Sequence, residues 1–201
     1  MKITAESSVA IVQEALAVLS QDKRIDIIDT ESKDATIFKV SIAFESARKQ
    51  VLSDHNWNFA RSEKLTNSTF VRHDRVYPWA TPMPADNLRI LAVYDMNGRK
   101  SDYIVYDMTI RASHPVGRIV YVRDEEDLSV WTPLARRAFV YRLAADIAKP
   151  ITGRINECQL QEEHYRAAIS DAKLREAREG EAANPWGESH HARVMSGGVR
   201  S

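Results

Sequence analysis

Apolar residues recur at three- and four-residue steps near both ends of the chain and lose that spacing in the middle. Val9, Val12, Leu16 and Leu19 form one face of a helix over about residues 4–22. Thr4 is its expected N-cap, and Glu6 lies in the first turn, where a carboxylate meets the positive end of the helix dipole. Arg24–Ile28 breaks the pattern. A second stripe, Ile37, Val40, Phe44, Ala47 and Val51, predicts a helix over about 32–54, with Lys39, Glu45 and Lys49 elsewhere on its surface. Thr132 and Pro133 together mark a helix start. From there Leu134, Ala138, Tyr141, Ala145 and Ala148 line one face while Phe139, Leu143 and Ile147 make other sides apolar. A helix apolar over so much of its circumference is central. Its end is expected at Lys149, because the residue before Pro150 avoids the helical region. A fourth helix, about 153–179, carries Ile155, Cys158, Tyr165, Ile169 and Ala172, and its C-terminal half is dominated by Lys, Arg, Glu and Ala.

Between the helix pairs, over about 57–124, the spacing becomes that of strands. Trp57–Asn58–Phe59–Ala60 has no helical stripe, and Pro78, Pro82 and Pro84 forbid regular helix. Leu88–Tyr94, Tyr103–Tyr106 and Arg118–Val122 are rich in β-branched and aromatic residues, with the turn dipeptide Asn97–Gly98 between the first two. These predict a small antiparallel meander. The expected fold is therefore α+β: mainly a bundle of four helices, with the meander inserted between the second and third. Residues 1–180 form one domain, and 181–201 form a flexible C-terminal tail too poor in apolar residues to bury itself.

Composition narrows the function. The 28 basic and 28 acidic residues cancel, which argues against a dedicated nucleic-acid binder while allowing DNA to pass by. The single cysteine, Cys158, cannot form an internal disulfide and reads as a small buried hydrophobe rather than a reactive thiol. Neither a signal peptide nor a membrane span is expected, so synthesis in a cytoplasm follows and the sequon-like Asn67–Ser68–Thr69 is incidental.

Each candidate for chemistry has a plainer local explanation. Adjacent histidines such as His190–His191 point apart in an extended segment, and Glu188 alone does not complete a metal set. Asp54–His55 reads as the end of the second helix rather than an acid–base pair, with His55 well placed beside a helix C-terminus. Asp124–Asp127 lacks the interleaved glycine of a calcium loop and reads as a solvated acidic turn. Catalytic residues, cofactor and metal are accordingly all expected to be none. In the tail, Trp186 is the one large anchor and Arg193 and Arg200 are cations suited to an acidic partner.

Several segments, taken in order, resemble the tail tubular protein A family, the head-to-tail adaptors of short-tailed bacteriophages. They are the paired N-terminal helices, Leu52 with Trp57–Asn58–Phe59–Ala60, Pro84–Leu91, Ile119–Arg123, and Leu143–Thr152 followed by a charged helix with Tyr165. The resemblance runs from about residue 5 to 180. It implies a structural virion protein made in the host bacterial cytoplasm: a dodecameric ring at the head–tail junction, between the capsid portal protein and the tail nozzle protein. DNA would pass transiently through the ring during ejection, and no membrane would be involved. The alternatives are a small hydrolase on a helical scaffold or a bacterial interaction domain.

Overall fold

The computed structural model describes residues 2–3, 6–21, 23–71 and 74–183. Thr4, the expected cap of the first helix, lies outside them. That helix, α1 (Glu6–Val18), buries Ile11, Val12, Ala15 and Leu16. Helix α2 (Ala35–Asp54) starts at Asp34, whose carboxylate accepts from the Thr36 and Ile37 N–H groups at 2.9 and 3.2 Å. These bonds satisfy two of the donors that a helix start leaves unpaired. At the head of α3 (Pro133–Thr152), Thr132 caps the Ala135 N–H at 3.3 Å.

Helix α3 does not stop at Lys149 as the proline rule predicts. It runs through Pro150 to Thr152 and ends on Gly153, whose φ of 72° only glycine adopts cheaply. Proline so close to the end removes a single ladder bond. Three contacts hold the last turn: Gly153 N–H to Lys149 O at 3.1 Å, Thr152 Oγ1 to Ala148 O at 2.8 Å, and Lys39 Nζ to Pro150 O at 2.7 Å. Helix α4 (Ile155–Ala183) then folds back along α3. No described helix is long and apolar enough to cross a membrane.

The expected mainly helical bundle with one small meander is overturned. A two-stranded pair, β1 (Lys2–Ile3) with β2 (Ile28–Asp29), lies beside two larger antiparallel sheets. One sheet has the order β3-β9-β6: Arg61–Leu65, Val116–Arg123 and Asn87–Asp95. The other runs β4-β5-β8-β7: Thr69–Phe70, Trp79–Pro82, Thr109–Ala112 and Tyr103–Tyr106. Strands β3, β4 and β5 carry no clean apolar alternation, since they are short, polar or proline-flanked; β8 alternates, with Ile110 and Ala112 buried, but over only four residues. Pairing partners rather than intrinsic pattern make them strands. The connectivity differs from a meander as well. The Asn97–Gly98 turn does follow β6, but it returns through only one bridge, Tyr94 to Lys100. The chain then leaves, and Tyr103–Tyr106 joins the other sheet.

The central strand β9 is buried on both faces and joins two cores. Val122, with Leu88 and Leu91 of β6, packs on the helices. Ile119 and Tyr121 pack with Val93, Ile110 and Ala112 between the sheets. Within the helical core an aromatic chain runs Trp57–Phe59–Trp131–Phe139–Phe44, with successive ring centroids 5.8, 5.3, 5.5 and 5.1 Å apart. Trp57, at the head of a short 3-10 turn (Asn58–Ala60), is 1% exposed, and its Nε1–H donates to Val51 O at 2.8 Å.

Gly117 marks where β9 meets the end of β6. A Cβ there would lie 2.9 Å from Asp95 O and 3.0 Å from Met96 Cα, both backbone atoms. Gly117→Ala must push the strands apart, so a loss of about 2 kcal/mol is expected. Urea unfolding measures it; a variant as stable as the parent would show that the β6 end yields freely.

Candidate assembly interface

Two charged clusters lock the elements together. Helix α2 places Arg48 inward, 2% exposed, beside the end of β9. Its guanidinium donates to Asp124 at 2.5 Å, to Glu125 O at 3.1 Å and to Glu45 at 2.8 Å. Burial pulls its pKa down, but the Glu45 and Asp124 carboxylates outweigh that and the net shift is upward. Asp124–Asp127 is only in part the solvated acidic turn expected from sequence: Glu126 and Asp127 are exposed, but Asp124 and Glu125 turn inward. Asp124 joins Glu45 in neutralising the buried arginine while the Glu125 carbonyl accepts from it, the Glu125 carboxylate pairs with Arg123, and Asp127 caps the following 3-10 turn (Leu128–Val130) through the Ser129 N–H at 2.8 Å. The hydrophobic pattern alone does not single out Arg48, although it sits beside Phe44, Ala47 and Val51. An arginine interrupting a buried stripe is the available signal, because a buried cation requires paired acids.

The second cluster spans α2, α3 and α4. Arg142 forks onto Asp146 and donates to Glu162 at 2.7 Å, while the Tyr165 hydroxyl donates to Asp54 at 2.6 Å. Burial raises the Tyr165 pKa, and the Asp54 carboxylate raises it further. Asp146 also shifts upward, through burial foremost, despite its guanidinium partner. Asp54 ends α2 and is engaged as a structural acceptor; His55, at the cap position, packs edge-on against Trp57 at 4.7 Å. Cys158 is half-buried against the helical core, whereas Ile155, expected on the same inner stripe, is exposed.

Surfaces outside these clusters are open. Strand β3 forms one edge of its sheet, with Arg61, Glu63 and Lys64 exposed and Leu65 80% exposed. Strand β7 forms an edge of the other sheet and carries no charge; Ile104, Val105 and Tyr106 are 40, 52 and 60% exposed. Edges are normally blunted by charge, proline or cover, so a bare apolar edge is the exception. Glu63 already pairs with Arg118 at 3.1 Å, whereas Arg61 and Lys64 have no acidic partner among the described residues.

Opposite its core-facing Gln161, Tyr165, Ala168 and Ala172, helix α4 presents Leu160 and Leu174, both about half exposed. The tail anchors Trp186, Arg193 and Arg200, and the His190–His191 pair with Glu188, lie outside the described residues. The structure therefore bears on none of the expected partner-binding residues. What it adds are sheet edges that periodicity did not reveal, β3 and β7 among them. No protein-family model matches the sequence, and a search of curated proteins finds no match.

Proposed function

We propose that this chain is a ring-forming adaptor subunit of a short-tailed phage virion, joining the capsid portal to the tail nozzle and lining part of the DNA ejection channel. The single observation that carries the reading is the presence of two open sheet edges of different character on one subunit. A ring closes through heterologous contacts, in which one patch of a subunit meets a different patch of the next. The resemblance of the helix pairs and of the Trp57–Ala60, Pro84–Leu91 and Leu143–Thr152 segments to the adaptor family supports the same reading. The clusters at Arg48 and Arg142 suit a rigid wall: each binds separate elements through satisfied charge pairs, and an assembly platform needs fixed surfaces more than mobile ones. In this role Trp186, Arg193 and Arg200 are anchors for the portal, and passing DNA makes only non-specific contact.

Mixing the full chain with its cognate portal tests the proposal. Electron microscopy should show an added ring of density on the portal, and native mass measurement should give a discrete multiple of the 22.8 kDa subunit. A chain that stays monomeric and never binds portal would sink it.

A further inference from the structure

We infer that strand β7 of one copy docks antiparallel onto strand β3 of the next, fusing their sheets into one that continues across the subunit boundary. The inference rests on the ring reading and names the contact that would build it.

Backbone parity comes first. In an antiparallel ladder, alternate residues exchange both backbone bonds with the partner strand. The Ser113 N–H donates to Asp102 O at 3.1 Å, so residues 102, 104 and 106 face β8. Tyr103 and Val105 therefore turn their N–H and C=O groups outward. On β3, the Thr66 N–H donates to Gly117 O at 3.1 Å, which turns residues 62, 64 and 66 toward β9. Glu63 and Leu65 face outward, while the Arg61 N–H is already taken by Trp57 O at 3.0 Å. Each edge thus offers two residues with free donors and acceptors at the same spacing.

One antiparallel register satisfies both pairs. Tyr103 meets Leu65 and Val105 meets Glu63, which covers the most exposed large apolar side chain among the described residues. Ile104 then opposes Lys64, with Asp102 diagonal to that ammonium, and Asp107 comes to the Arg61 end. The acids flanking β7 and the bases of β3, all exposed and without ion-pair partners among the described residues, become neighbours. Opposite charges across a strand pair favour pairing, and like charges oppose it. This choice also excludes the obvious competitor. Two β7 strands paired with each other would centre on Ile104 and set Asp102 opposite Tyr106 at both ends, with no basic partner from β7 itself. They would also close a twofold pair instead of extending a ring.

Cysteine trapping tests the contact. In a Cys158→Ser background, full-length Ile104→Cys and Lys64→Cys chains are mixed under mild oxidation, both free and on the portal. These positions form a non-hydrogen-bonded pair, whose close approach suits a disulfide. The mixture should give a linked dimer several-fold above either variant alone, with peptide mapping placing the bond between positions 104 and 64. Equal linkage of Ile104→Cys with itself would overturn the register. Rings that form without the mixed link would overturn the contact and leave the ring standing. Failure to self-associate in either setting would remove both. Val105→Pro is the second variant. It deletes one outward N–H on an edge strand, where proline is tolerated, and should abolish self-association while leaving the melting temperature unchanged. Normal rings from this variant would overturn the inference.

Discussion

Trp57→Ala is expected to lower the unfolding free energy by about 4 kcal/mol, in the range for deleting a buried aromatic side chain. The indole is fully buried, stacks on Phe59 and donates to Val51 O, so alanine removes three things together: apolar burial, the ring contact and the partner of a buried carbonyl. The gap would open at the end of the aromatic chain, next to the 3-10 turn that leads into β3. For a chain of this size the loss corresponds to roughly 10 °C in melting temperature. Calorimetry and urea unfolding should agree. A drop near that for a surface substitution would mean that the Trp57 pocket collapses to fill itself. Trp57→Phe keeps a stacked ring but loses the hydrogen bond and the volume of the second ring, so it should recover about half of the deficit.

Arg48→Met should cost about 3 kcal/mol, because methionine fills the space but leaves Asp124, Glu45 and the Glu125 carbonyl without the guanidinium they share. The expectation sits at the lower end for a broken buried pair, since Asp124 keeps 18% side-chain exposure and Lys49 lies 3.6 Å away. Adding Asp124→Asn removes the stranded charge and should restore part of the loss. That non-additivity separates an electrostatic cause from simple loss of packing. If the double variant is less stable than Arg48→Met alone, the cluster acts through geometry instead of charge.

The helices were legible in the sequence for a definite reason: capping and periodicity are local. Asp34 caps α2, whose first residue, Ala35, lies three residues inside the expected range, and Thr132–Pro133 starts α3 where its spacing predicts. Pro150 misled because the turn containing it is held by Lys39 from another helix, which no local rule registers. The sheets were less legible for the same reason. Arg61–Leu65 is a strand only because β9 lies beside it, and Tyr103–Tyr106 leaves the first sheet through pairing with Thr109–Ala112. Arg48 could have been found from its position in the stripe of α2. The two sheet edges could not, because an edge is a property of the strand order.

That strand order also sets a sequence of events in time. Strands β7 and β8 are joined by the two-residue turn Asp107–Met108, both residues at positive φ, and such a hairpin closes within microseconds. Strand β3 has no local partner. It must find β9, and a contact between the two strands such as Glu63–Arg118 spans 55 residues, so it closes against a much larger loss of chain freedom. The edge that would reach out is therefore ready early, while the one that would receive it exists only once the fold has closed. In the proposed contact a half-folded neighbour would offer β7 nothing to join, and subunit addition would wait for chains that have finished folding.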